Sequence, residues 1–123
     1  MIYIVDNAAP IALATVAALL VGVLFYPSLR SVAAWARLFV AEFWFAAILA
    51  GALILAPPKA GPWMMALGTA VVIWIGFVVP ALIVTLSARG VRAGGIVRDL
   101  GHWLTVMLVE AAVLHGVGLT GPR

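Results

Sequence analysis

Six charged or histidine side chains stand inside long apolar runs: Glu42, Arg98, Asp99, His102, Glu110 and His115. Carboxyl and imidazole groups held away from water can pass protons, hold a cation, or join helices by hydrogen bonds. At about 100° per residue, Asp99, His102, Val106 and Glu110 fall on one face of a helix. A polar stripe of that kind turns toward protein or water, because facing lipid is costly. Two chemistries follow. The stripe is a seam that binds its helix to the bundle or to a partner, or it is a proton or cation path with Glu110 as the carrier.

Depth separates these residues. Glu110 lies about 21 Å along the helix from Ile96, in the outer third of a bilayer and beyond the reach of snorkelling. Thr15 and Thr69 fall at a similar depth on other stretches, with Gly51 and Ala52 opposite, so hydroxyl groups are available to bond its carboxyl. Glu42 falls about one turn into its own stretch, level with Asp99 and His102. A hydrogen bond to His102 or a pair with Arg37 would satisfy it. His102 and His115 are rotated by about 220° from one another, so one helix cannot offer both to one haem. His115 reads as a solvated interfacial residue. The sequence predicts no cofactor and no metal. It has no Ser-His-Asp constellation, HExxH, phosphate loop or dinucleotide fingerprint, so no enzyme activity is expected.

The elements that hold these groups follow from composition. Of 123 residues, 67% are hydrophobic and 9% are charged. An average soluble domain carries about 25% charged residues. Such a chain cannot coat a water-facing surface, which excludes a soluble globular domain, a disordered chain and a nucleic-acid-binding module. Four stretches approach the roughly 20 apolar residues that cross a bilayer: 8–26, 38–56, 63–86 and 96–117. Each is continuously apolar and rich in Ala and Leu, without the alternation of a barrel strand. The predicted fold is therefore all-α, a single four-helix antiparallel transmembrane bundle. No segment reads as a cleavable signal peptide, since the N-terminus lacks a basic region. Cysteine is absent, which removes disulfides and thiolate chemistry.

Breaks between the stretches carry their own signals. Pro27 ends the first, Pro57, Pro58 and Pro62 stiffen the connection after the second, and a glycine-rich basic segment precedes the fourth. Pro80 should kink the third helix. Asp6 or Asn7 can cap the first helix. Arg30, Arg37, Arg89, Arg92 and Arg98 fall on one side, and Lys59 and Arg123 on the other. The positive-inside rule then sets both termini outside the cytoplasm. The five arginines are assigned to anionic lipid headgroups, so no nucleic-acid partner is needed to explain them. Tyr3 and Trp63 suit the outer aromatic belt, and Tyr26 and Trp35 the inner one.

Three local motifs add a resemblance. Gly22-Val-Leu-Phe-Tyr26-Pro27 closes the first stretch, Trp74-Ile-Gly76-Phe77-Val-Val-Pro80-Ala-Leu82 fills the third, and Gly101-His102-Trp103-Leu104 opens the fourth. With the four-span layout, they resemble a bacterial membrane family known only as domain of unknown function seventeen sixty-one. The resemblance implies a small four-helix protein of the bacterial inner membrane, and it supplies no activity or catalytic residues. The chain departs from that pattern in a shorter first connection and in carrying Glu110 on a helix that is otherwise apolar in the family. Two functions fit the residues. The first is a non-catalytic accessory or scaffold subunit, packing within a larger membrane complex or a homo-oligomer. The alternative is a minimal proton-coupled transporter or channel, working as an oligomer with Glu110 carrying the proton. Small multidrug-resistance transporters are similar in size and span number alone, because their essential carboxylate lies in the first helix and this chain has none there.

Overall fold

A computed structural model of the chain describes residues 1–28 and 30–121; Arg123 lies outside the described residues. One helical turn, α1 (Tyr3–Asp6), leads into α2 (Ala8–Phe25), α3 (Val32–Leu55), α4 (Pro62–Ile73), α5 (Val79–Ala88) and α6 (Ala93–Val117). A π-helical turn over Trp74–Val78 joins α4 to α5, so the third span is continuous from Pro62 to Ala88. Four helices are long and apolar enough to cross a membrane. The chain is an all-helical, multi-pass bundle, with no strand among the described residues.

Local chemistry sets the boundaries. Tyr26 leaves helical geometry, at φ -131° and ψ 73°. Pro27 follows it, and a residue ahead of proline is pushed out of the helical region. Ser31 opens α3, its hydroxyl accepting from the Ala34 N–H at 3.2 Å, the usual bond of a serine cap. That cap starts the helix at Val32, ahead of the predicted Leu38, and carries exposed Arg37 within it. Pro62 occupies the first turn of α4, where a missing N–H costs nothing. Gly90, at φ 74°, makes the left-handed turn that reverses the chain into α6. Pro80 does not break its span. Its ring would press on the carbonyl of Gly76, four residues earlier. The widened π turn there relieves that clash.

Helix α6 is the hub, touching α2, α3, α4 and α5. Its surroundings are alanine-rich: Ala14, Ala46, Ala47, Ala50, Ala70 and Ala111 form most of the main core, with Ile11, Leu49, Met107 and Leu114 between them. Lipid tails are as apolar as leucine, so burial alone does not join helices in a membrane. Small side chains do so by letting backbones approach, which maximises dispersion contacts. The Trp74 Nε1–H donates to the Leu100 carbonyl at 3.0 Å and ties the third span to α6.

The opposite end is closed by the chain termini. Tyr3 folds down onto α3, its hydroxyl donating to the Ala47 carbonyl at 3.0 Å. Gly51 makes this possible, since a Cβ there would stand 2.7 Å from the phenol oxygen. Asn7 does not cap α2 with its side chain. Its amide nitrogen donates to the carbonyls of Tyr3 and Thr120, and its oxygen accepts from the Thr120 N–H at 2.6 Å. Asn7 therefore fastens the segment after α6 to the start of α2.

Candidate functional site: a carboxyl pair inside the bundle

The α6 stripe points inward. Glu110 is 0% exposed and His102 is 6% exposed, while Asp99 is half-buried near the basic end. Glu42 comes from α3 and is 8% exposed. It is the ionisable neighbour of Glu110. Neither Glu110 oxygen makes a well-formed hydrogen bond among the described residues, and neither does the buried Glu42 Oε2. Two carboxylates confined together without water would repel, and each would lose solvation worth several kcal/mol. The pair is stable only with a proton or a cation shared between its oxygens.

The hydroxyl groups expected around Glu110 do not reach it. Thr15 is buried but donates back to the Ile11 carbonyl at 2.8 Å, a bond within its own helix. Thr69 is half-buried, with no hydrogen bond to Glu110. The expected Glu42–His102 bond is likewise not made, since both His102 ring nitrogens are buried without a partner. His102 is instead collared by rings, edge-on to Phe25 at 5.4 Å, Tyr26 at 5.0 Å and Trp103 at 5.3 Å.

The basic end of the stripe is chemically satisfied. The Tyr26 hydroxyl donates to Asp99 Oδ1. Burial first, and the adjacent Asp99 carboxylate second, push the Tyr26 phenol up to about 12, so it remains a donor. Arg98 Nη2 donates to the Phe25 carbonyl, and its guanidinium lies 5.1 Å from the Tyr26 ring centre. It thereby caps the C-terminus of α2. Arg30 lies 5.4 Å from the Trp35 ring centre. Arg37, Arg89 and Arg92 are exposed at the same end, free to meet headgroups.

A cavity of about 230 Å³ opens among these groups. It reaches from Arg30 and Asp99 to Glu42 and His102, between walls that include Trp35 and Trp103. A larger cavity of about 480 Å³ lies at the opposite end, walled by the proline-rich connection and His115. His115 packs edge-on to Trp63 at 4.4 Å. Between Glu110 and His115, α6 offers only Ala111, Ala112, Val113 and Leu114, so no polar side chain of that helix links the two cavities. No group of three His, Asp or Glu side chains able to hold a metal ion occurs among the described residues.

Sequence reading identified each acid but not their meeting. The α3 helix starts at Val32. Its cap at Ser31 extends the helix outward from the apolar stretch, and Glu42 stays level with Asp99 and His102 at the cavity, as the depth count expects. What the count does not give is the reach of its carboxyl to that of Glu110. By sequence Tyr26 and Trp35 suit the membrane belt and Trp103 belongs to a local motif, and the structure turns all three to the cavity. Comparison of the chain with protein-family models, with curated proteins and with solved structures finds no match, so its chemistry is read from this geometry.

Proposed function

We propose that this multi-pass protein is a minimal proton-coupled transporter of a bacterial inner membrane, acting as an oligomer, with the Glu42–Glu110 pair as its proton-binding site. One observation carries the reading: two carboxyls meet in the bundle interior, and no other polar group bonds their buried oxygens among the described residues. A seam that only joins helices is expected to satisfy its polar atoms, as Asp99 does. The stripe is also covered within a single chain, which leaves Glu110 no surface to offer a partner. Access is one-sided. The cavity reaches Glu42 from the arginine-rich end, the cytoplasmic side by the positive-inside rule. Apolar packing beyond Glu110 shuts the other side, as alternating access requires of one state.

The accessory-subunit reading has one observation in its favour. The third span is 6% buried, against 28% to 33% for the other spans. That helix has a face for a partner subunit or a second copy.

The test is proton flux by the purified protein in liposomes with an imposed pH gradient and an internal pH dye. The expected result is flux that falls to the protein-free background with Glu110→Gln or Glu42→Gln. Wild-type liposomes that leak no faster than empty ones, under either gradient direction and with or without small organic cations on the far side, would favour the accessory reading.

A further inference from the structure

The cavity at the basic end has a composition of its own. Its inner wall carries Glu42 and His102, each more than nine-tenths buried and each with buried polar atoms that lack a partner. A Cβ on Gly22, which also lines the cavity, would stand 3.8 Å from His102 Nε2, so that nitrogen borders the cavity wall. Three further rings, Tyr26, Trp35 and Trp103, line the space. Most of the remaining lining is aliphatic. An apolar pocket with a few convergent polar groups is the usual form of a small-molecule site.

We infer that this cavity binds a small organic ammonium ion, held between the Glu42 carboxylate and the aromatic wall. The inference rests on the proton-exchange reading and names the substrate class for it. Three observations select the ligand. The cavity volume is about 230 Å³. A water-sized group takes about 30 Å³, so the space holds about seven heavy atoms. Of its ionisable lining, Asp99 is bonded by the Tyr26 hydroxyl and Arg30 lies against Trp35, while His102 makes no bond to Glu42, so the Glu42 carboxylate is the charge left for a cation to balance. The neighbouring rings already receive organic cations, since Arg30 sits over Trp35 and Arg98 over Tyr26, the contact that a quaternary ammonium also makes. A hydrated metal ion would find only two carboxylates, on separate helices, in a largely apolar shell.

Glu42 belongs to both sites, and this couples them. When the ammonium ion pairs with the Glu42 carboxylate, the proton held by the Glu42–Glu110 pair must leave. When a proton returns, the ammonium loses its counter-charge. The charged and titratable groups about Glu42 are Glu110, His102 and Asp99 from α6, with Tyr26 and Arg30 from the first connection; α5 contributes Leu82 to the wall. Proton and ammonium therefore compete for one carboxylate, which is the requirement for exchanging one against the other.

The experiment is a titration of tryptophan emission from the full chain in uncharged maltoside micelles, since Trp35 and Trp103 line the cavity. The probes are choline and its uncharged isostere, in which carbon replaces the quaternary nitrogen. Choline should bind at least about tenfold more tightly than the isostere, and more tightly as the pH rises. Glu42→Gln should erase that preference while elution volume and helical content stay unchanged. Glu110→Gln should keep the preference and shift the pH at which it sets in, because Glu42 then titrates without a second acid beside it. Equal binding of both probes would reduce the cavity to an apolar void and overturn the assignment. Absence of binding, or a preference that survives Glu42→Gln, would overturn it too. Proton flux without choline binding would leave the carboxyl pair standing and sink this inference alone. Choline binding without flux would do the reverse.

Discussion

Asp99 and Glu110 are two acids on one face of one helix, and the bundle treats them in opposite ways. Asp99 is half-buried near the helix start, accepts from the Tyr26 hydroxyl, and sits at the end where arginines are seated on Tyr26 and Trp35. Glu110 is fully enclosed, and its ionisable company is a second carboxyl. The first arrangement is structural, because it closes the end of α2 and fixes the mouth of the cavity. The second adds nothing to stability as it stands. An unpaired buried acid is retained when its chemistry is used, and the contrast supplies the control for every test of that use.

Flux gives the largest separation. Glu110→Gln should abolish proton movement, a loss of at least about tenfold, because an amide cannot exchange the proton. Asp99→Asn keeps the Tyr26 hydroxyl bonded and should leave the rate within about twofold. Equal loss in both variants, measured in the same liposome assay, would erase the distinction between the two acids.

Stability should separate them with opposite signs. Replacing both acids, Glu42→Met with Glu110→Met, exchanges the buried polar pair for apolar chains of similar length. It should stabilise the bundle by about 1–4 kcal/mol, read as a higher unfolding midpoint in detergent. The gain would accompany lost flux, the trade expected of a strained functional site. A double variant that unfolds earlier than wild type would mean that the pair is a structural bond, as Asp99 with Tyr26 is.

The pairing itself can be measured by a double-mutant cycle. Glu42→Gln and Glu110→Gln should each raise stability, because either amide can donate to the carboxyl left opposite it. The double variant should gain less than their sum, with a coupling of about 0.5–3 kcal/mol. Additive effects would indicate that the two side chains do not meet.

These differences explain what the sequence made legible. The four spans were visible because an apolar run is a local property, and proline and glycine punctuate it. Burial of the α6 stripe was also visible, since its acids and histidine share a face that lipid cannot accept. The partner of Glu110 was not. Depth counting sets Glu42 level with Asp99 and His102, where the cavity lining has it, but a level along the axis does not say how far a long side chain reaches toward a neighbouring helix. Tyr3 was equally opaque. Its belt-like position near the terminus gave no sign that Gly51 leaves room for it against α3. Meeting points depend on packing between distant segments, whereas the spans depend on composition alone.

The smallest effect is the most discriminating test of the basic end. Tyr26→Phe removes the donor to Asp99 and leaves the ring beside His102 and Arg98. It should cost about 1 kcal/mol, the net value of one hydrogen bond. The pH dependence follows from the phenol. Its folded value, pushed up to about 12, lies above the ordinary 10.0. The bond's contribution is therefore fully present below about pH 10 and is lost as the pH rises toward about 12. The deficit of Tyr26→Phe should then be constant from about pH 6 to about pH 9, when midpoints of the two proteins are compared. Proton flux should be unchanged over that range. A Tyr26→Phe protein that loses flux as Glu110→Gln does would join the hydroxyl to the carboxyl pair. Asp99, Tyr26 and Glu110 would then be stations on one proton path, and the division between a structural and a functional acid would fall.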